Sequence, residues 1–569
     1  MQKRIDSGVV RLSGRLLSVS LSLPLLLSIT ACSGAEHDTL EDGDAGRGSL
    51  DGSSASEGDG DAHPHGDGGG DPDGGHGDGD AAGDGDVGTG DGDSGPGDCA
   101  VGYADDGSGT CQDVDECQQG RASCDLHASC VNTPGSYTCA CADGWVGDGQ
   151  APFGCASRIE AGYSHVCVIP LDGSVKCWGD GTAGRLGYGD TSSYGAATGQ
   201  TVTAQAPLAL PAGRKALGLA LGYKYSCVLL DDGSVRCWGA NDYGQLGQGD
   251  NTMRGDTASS TPDKIPAVEL GAGRKAVAIR AGYEFTCAVL DDHSVKCWGE
   301  NGRGQLGQGD TTARGDDAGE LGDALKAVDL GTGRHVRALD LAYKTACAVL
   351  DTGKVKCWGD NSSGQLGIGD TSKNFGDNAD EMGDMLPTVD LGSNDEISEV
   401  SAGGLSFCTR SETDAVKCWG LNSSFAVLGN GTANDIGDDP DEMGSNLAPV
   451  KLGTGITPWA LATSATNTCV ISRNPAAVKC WGDNQYGELA LGTTGGLIGD
   501  SAAEMGDNLP LYDLGGVPVA MGVGSSFICS LLADGKLKCT GANYSGALGI
   551  GSNVSSYSDN DVPAAAELW

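Results

Sequence analysis

The chain has 569 residues, a formal net charge of −43, 97 glycines and 23 cysteines, and only 5% of its residues are aromatic. So acidic a balance excludes electrostatic binding of nucleic acid or of an anionic membrane surface, because both partners need clustered Lys and Arg to displace counterions. Abundant glycine with scarce aromatics points to turn-rich β structure beside an unstructured stretch, and away from a helical enzyme.

The first fifteen residues carry Lys3, Arg4, Arg11 and Arg15, and an apolar run from Leu16 to Ile29 follows, too short for a comfortable membrane span. It ends in Ile29-Thr30-Ala31-Cys32. This ending resembles a bacterial lipobox, which implies a signal peptide over 1–31, a lipid on Cys32 and, with Ser33 next, sorting to the outer membrane. From 32 to 98 the chain is almost entirely Gly, Asp, Ser and Ala. Such a segment has too little apolar surface to offset the entropy of ordering, and we expect a disordered acidic linker. Its random-coil reach is on the order of 45 Å. His63, His65 and His76 lie in it without the spacing of a metal site.

Apart from Cys32, the cysteines form pairs and a six-cysteine cluster, as an oxidised framework requires. No C-x-x-C pairs with a second one, so zinc ribbons do not fit. Cys117, Cys124, Cys130, Cys139, Cys141 and Cys155 are preceded by Asp113-Val114-Asp115-Glu116, and Val131-Asn132-Thr133-Pro134-Gly135-Ser136-Tyr137-Thr138 lies among them. The spacing and these residues resemble the calcium-binding subclass of EGF-like domains, here over 113–155. The resemblance implies the pairs Cys117–Cys130, Cys124–Cys139 and Cys141–Cys155. It also implies calcium as cofactor, held by the side chains of Asp113, Glu116 and Asn132 and the carbonyls of Val114, Thr133 and Ser136. Two carboxylates, an amide and carbonyls suit a cation that takes six to eight hard oxygens. In the family, calcium stiffens the joint between modules. Residues 99–112 look like the last loop of a truncated EGF unit, giving Cys99–Cys111.

Past residue 156 the chain repeats itself. Cysteine pairs recur at Cys167 and Cys177, Cys227 and Cys237, Cys287 and Cys297, Cys347 and Cys357, Cys408 and Cys418, Cys469 and Cys480, and Cys529 and Cys539, with a period of 60 or 61 residues. We number these units one to seven. In unit two, Cys227-Val-Leu-Leu, Asp-Asp-Gly-Ser and Val-Arg-Cys237-Trp-Gly read as strand, turn and strand. That hairpin sets the two cysteines opposite each other at bridging distance, although buried thiols fit the same positions. We expect one disulfide per unit: Cys167–Cys177, Cys227–Cys237, Cys287–Cys297, Cys347–Cys357, Cys408–Cys418, Cys469–Cys480 and Cys529–Cys539. In unit six the loop 472–476 absorbs one extra residue. Trp178, Trp238, Trp298, Trp358, Trp419 and Trp481 follow the second cysteine and read as packing between units, with Thr540 in their place in unit seven.

Repetition at this period with strand-like alternation and Gly turns points to propeller blades. The motif Cys-Trp-Gly-x-Asn-x-x-Gly-Gln-Leu-Gly resembles the regulator of chromosome condensation repeat family over 156–569. The resemblance implies an all-β chain, with a seven-bladed propeller of four-stranded blades behind the small disulfide-rich EGF-like module and acidic linker. The C-terminal segment 561–568 matches 264–270, and we expect it to complete blade one.

The nucleotide-exchange activity of the family's namesake is not carried over, because an exported, disulfide-bonded protein meets no nuclear GTPase. Catalysis finds no support either: His165 replaces Tyr225 or Phe285 as local variation, and no Ser/His/Asp set or carboxylate pair departs from the repeat. The acidic loops 315–331, 376–392, 437–453 and 499–515 read as a shared packing solution, with a binding rim or calcium loops as the alternatives. The sequence therefore reads as a non-enzymatic outer-membrane lipoprotein displayed at the cell surface. The lipid on Cys32 tethers it, and the propeller presents a binding or adhesion surface to a protein or surface polysaccharide. A propeller-type inhibitor of a secreted enzyme calls for aromatics on one rim, whereas these loops read as acidic and aromatic-poor. A glycan hydrolase calls for paired carboxylates converging on the central channel.

Overall fold

The computed structural model describes residues 99–105, 108, 110–119, 121–392, 396–552, 554 and 566–567. The signal peptide, Cys32 and the linker lie outside the described residues.

The cysteine repeat becomes seven sheets in chain order. In blade two the strands are Ala216–Leu221, Tyr225–Leu230 and Val235–Gly239, paired antiparallel. Cys227 stands directly opposite Cys237 with Cα atoms 4.1 Å apart, the close spacing of a non-hydrogen-bonded pair, and the two are disulfide-bonded. The bonds Cys167–Cys177, Cys287–Cys297, Cys347–Cys357, Cys408–Cys418, Cys469–Cys480 and Cys529–Cys539 repeat this arrangement.

The second strand of blade two is buried along its whole length because it has a neighbour on each side. Tyr225, Cys227 and Leu229 face blade three, where they meet Ile279, Ala288 and Trp298. The alternate residues Val228 and Leu230 face blade one, where they meet Cys167, Ile169 and Leu186. The cores thus lie between blades, and the period-two alternation of one strand serves two of them.

Four-stranded blades are a point of correction. Five of the seven sheets hydrogen-bond three strands and only two bond four, blade six through Leu497–Ile498 and blade seven through Ala566–Glu567. Elsewhere the returning chain touches the third strand at single points, such as Val268 N–H to the Val235 carbonyl at 2.9 Å and the bridge between Gly239 and Arg254. The prolines explain much of this. In four of the five three-stranded blades Pro207, Pro266, Pro387 and Pro449 stand one or two residues before that contact and have no N–H to extend a ladder.

Closure also differs from expectation. Ala566–Glu567 pairs with Lys536 and Leu537, so the C-terminal segment completes its own blade rather than blade one. The first strands of successive blades lie side by side all the way round, from Ile159–Ala161 of blade one to Pro518–Val523 of blade seven, which returns to Ile159–Ala161. The junctions share one hydrogen bond. Nε1 of Trp238, Trp298, Trp358, Trp419 and Trp481 donates to the carbonyls of Arg185, Gln245, Gln305, Gln365 and Val427 in the preceding blade, at 2.8–3.0 Å. Trp178 donates in the same way to the Ala547 carbonyl of blade seven, so the first and last units meet as any two neighbours do.

The EGF-like module pairs Ala128–Thr133 with Ser136–Cys141 and is bonded Cys117–Cys130, Cys124–Cys139 and Cys141–Cys155. The preceding unit pairs Tyr103–Asp105 with Cys111–Asp113 and is closed by Cys99–Cys111. All these belong with the blades to one compact unit. The joint between module and blades is aromatic. His127 stacks on Trp145 at 3.6 Å, Trp459 of blade six stands edge-on to both, and the Arg473 guanidinium lies over Trp459 at 3.5 Å. Trp145 Nε1 also donates to the Val519 carbonyl of blade seven at 3.2 Å.

Candidate functional site

Two places carry candidate function, the calcium loop of the EGF-like module and the loop-bearing face of the blades.

At the first, Asp113 ends a short strand and reaches the turn of the EGF hairpin. Its Oδ2 accepts from Asn132 Nδ2 at 2.7 Å and its Oδ1 from the Gly135 N–H at 2.5 Å. Thr133 and Ser136 face each other across that turn, and Val114 is buried two residues before the buried Glu116. Glu116 Oε2 and Asn132 Oδ1 are buried without a hydrogen-bond partner. Two acceptor-only oxygens left so in a hard-oxygen donor set suit a calcium ion. Among the described residues no three His, Cys, Asp or Glu side chains gather as metal ligands, in keeping with a donor set that relies on an amide and carbonyls. The residues that fit would be Asp113, Glu116 and Asn132 with the three carbonyls. The upstream unit packs on the same turn: Gly135 has φ +75°, and a Cβ there would meet the Tyr103 ring at 2.7 Å. An ion at this loop would therefore stiffen the joint between residues 99–112 and the module.

Adding calcium at a hundredfold excess over its dissociation constant is expected to stabilise this joint by about 3 kcal/mol. Slower hydrogen exchange over 103–113 in calcium than in EDTA, abolished by Glu116→Gln, is the readout.

At the second place, the loops between first and second strands share a face with the turns after the third strand. The tyrosines there are spread over four repeats, and no local spacing marks them as one group. Tyr163, Tyr223, Tyr283 and Tyr343 stand four residues before the first cysteines of blades one to four and form a crescent. Their ring centroids lie 5.0, 4.0 and 4.2 Å apart in succession, and Tyr223 and Tyr283 are stacked. Blades five to seven carry Gly404, Ala465 and Ser525 in that position. Lys224 and Lys344 place their ammonium groups over Tyr223 and Tyr343. Glu284 lies between them in sequence position, its carboxyl pushed up to about 7 by burial, then by Glu300 and Asp242. Among the described residues the exposed tyrosines are Tyr163, Tyr243 and Tyr544, all on this face and outside the four acidic loops.

Inside the ring, the first strands set Glu160, Arg280 and Asp340 at the register of the first cysteines. Arg280 lies 3.7 Å from Asp340, and burial pushes the Glu160 carboxyl up to about 8. These groups form a charged girdle. His165 is buried against Ser226 Oγ at 2.8 Å, and burial lowers its pKa well below the usual value, leaving a neutral imidazole that packs two blades together.

The acidic loops are packing devices. Glu381 Oε2 accepts the N–H groups of Gly376 and Asn378, and Glu320, Glu442 and Glu504 accept the N–H of Gly315, Gly437 and Gly499 in the same way. Lys356, buried, donates to the carbonyls of Leu330 and Gly383 and pins the loop to its blade. Glu381→Ala is expected to cost about 1–2 kcal/mol by leaving two N–H groups unpaired. Faster hydrogen exchange confined to residues 376–385 would show it.

The calcium-binding EGF domain pattern matches residues 113–155. The regulator of chromosome condensation (RCC1) repeat matches 232–289, and a second form of it matches 157–185, 218–245, 276–305 and 343–365. The chain carries RCC1 repeats. Among solved structures, Prp20p of Saccharomyces cerevisiae superposes with a TM-score of 0.50 at 17% identity, covering 70% of this chain and 86% of that one. This likeness gives the RCC1 propeller fold alone. The ultraviolet-B receptor UVR8 of Arabidopsis thaliana is 25% identical over 280 residues, 49% of this chain and 56% of the receptor. The human E3 ubiquitin-protein ligase HERC2 is 31% identical over 219 residues, 38% of this chain and 4% of the ligase. The chain thus spans little more than half of one relative and a small fraction of the other. No helix among the described residues is long and apolar enough to cross a membrane.

Proposed function

We propose that this protein is a non-enzymatic recognition protein, tethered to the outer membrane through a lipid on Cys32 and displayed at the cell surface. Its seven sheets act as the blades of one closed propeller, the acidic linker spaces it from the envelope, and calcium at Asp113, Glu116 and Asn132 rigidifies the entry to the EGF-like module. The observation that carries this reading is the division of the propeller faces. The EGF-like module occupies the face of the second-to-third-strand turns, and the exposed tyrosines crowd the other. A rigid scaffold that offers aromatic loops on one face has the layout of a binding protein. The same tyrosines favour a second reading, a propeller-type inhibitor of a secreted enzyme.

The test is capture of partners from envelope and secreted extracts by the immobilised protein, in calcium and then in EDTA. Release of one partner by EDTA supports a calcium-dependent receptor or adhesin, and a captured enzyme that loses activity supports the inhibitor. Retention of nothing specific in either buffer would remove the recognition reading. For the tether, Cys32→Ser is expected to move the protein from the membrane to the soluble fraction.

A further inference from the structure

One mouth of the propeller is already covered by its own chain. Residues 143–158 of the module and its exit cross the face of the second-to-third-strand turns. Trp145 meets Trp459 of blade six and the Val519 carbonyl of blade seven. Phe153 reaches His293 in the turn of blade three at 6.4 Å. The Arg158 guanidinium donates to the Ile169 and Pro170 carbonyls at the turn of blade one. Contacts with blades one and three on one side and with six and seven on the other straddle the axis. The remaining mouth carries the tyrosine crescent.

Charge and ring orientation at this mouth say what fits it. Asp242, Glu284 and Glu300 supply three carboxylates from blades two and three. Of the nearby cations, Lys344 is 3.7 Å from Glu300, Arg303 is 3.8 Å from Asp360 and Lys224 is drawn over the Tyr223 ring. The local excess is negative, within a chain of net charge −43. The inner tyrosine rings face one another, Tyr223 and Tyr283 only 13° from parallel, so their faces are taken up by each other. A sugar stacks on an open ring face, whereas tyrosine edges with hydroxyls and mixed charge are what protein interfaces use.

We infer that the open mouth is a docking surface for a folded protein that brings a lysine or arginine against Glu284 and Glu300. This rests on the recognition reading above and adds its face and the chemistry of its partner. Tyr163, Tyr243 and Tyr283 form the aromatic contact, and the small residues Gly404, Ala465 and Ser525 leave the opposite half of the mouth low, so the partner leans to the side of blades one to four.

The test is panning of the full exported protein, in calcium, against a displayed library of loops held on a small folded scaffold. Enriched clones are expected to carry Lys or Arg in the loop. They should lose at least tenfold in affinity for Tyr283→Ala and for the Glu284→Gln/Glu300→Gln double variant. The carboxamides are isosteric, so a thermal midpoint that does not fall separates lost contact from lost fold. Glu412→Gln, which removes one carboxylate on the covered face, should leave binding unchanged and so exclude general attraction to an acidic chain. Clones indifferent to the mouth variants, or an empty selection, would overturn the inference. So would binding of an uncharged oligosaccharide that Tyr283→Ala abolishes, which assigns the mouth to a glycan. Native partners that extract capture retains but mouth variants do not affect would leave recognition standing and remove only this placement.

Discussion

Glu488→Gln is expected to stabilise the protein by up to about 3 kcal/mol at pH 8 and hardly at all near pH 4. Glu488 takes the place that Gln245, Gln305 and Gln365 hold in blades two to four, and it is fully buried. Its Oε2 accepts the Tyr486 N–H at 2.9 Å as Gln245 accepts that of Tyr243, but its Oε1 has no partner. Burial pushes the carboxyl up to about 7, and Asp483 adds to the shift. A carboxyl whose folded pKa lies above its unfolded value binds more protons folded than unfolded between the two. Stability therefore falls as pH rises from about 4.5 to about 7 and is level above that, and each pKa unit corresponds to about 1.4 kcal/mol. Glutamine keeps the shape and the accepted hydrogen bond without the charge. Urea or thermal unfolding of both proteins at pH 4.5 and 8 measures this; an equal gain at both values would show that charge is not the cause.

Trp358→Thr is expected to cost about 3–5 kcal/mol, among the largest losses a single substitution brings here. Trp358 is fully buried between blades three and four, donates to the Gln305 carbonyl and packs on Val328. The protein contains a natural answer to this loss. In blade seven, Thr540 stands where the tryptophan would be and its hydroxyl donates to the Glu488 carbonyl at 2.6 Å. The adjoining position of blade six, valine in blades two to five, is Tyr512, buried and hydrogen-bonded to Thr540 at 2.9 Å. The tyrosine refills the volume the indole leaves. Val328→Tyr added to Trp358→Thr should therefore recover about 1–2 kcal/mol, a coupling that a double-mutant cycle in thermal unfolding isolates. Simple additivity of the two losses would refute the exchange.

The sequence made legible whatever is written in local spacing. Cys227 and Cys237 flank a short turn, so their cross-strand bond follows from hairpin geometry, and the tryptophans follow from their place beside the cysteines. The outer strand was less legible, because prolines such as Pro266 reduce a ladder to single contacts while leaving the repeat intact. The C-terminal segment resembles the residues around Val268, and that likeness already implied its true position, since Val268 pairs with its own blade. The tyrosine crescent was hidden for another reason. Tyr163 and Tyr343 are 180 residues apart, and only the circular arrangement of the blades places them in one arc. The calcium loop shows the reverse: its residues lie within 24 positions of one another, from Asp113 to Ser136.

The C-terminal strand stays within blade seven, and among the described residues the first and last blades are joined by side-chain packing, hydrogen bonds and the single bridge between Thr201 and Ile550. This matters under mechanical load. A pull from the N-terminal side enters the propeller through the aromatic joint, which grips blades on both sides of the axis at once. Trp145 on the Val519 carbonyl of blade seven and Arg158 on the Ile169 carbonyl of blade one stand on either side of the boundary between the first and last blades, so the joint itself bridges it.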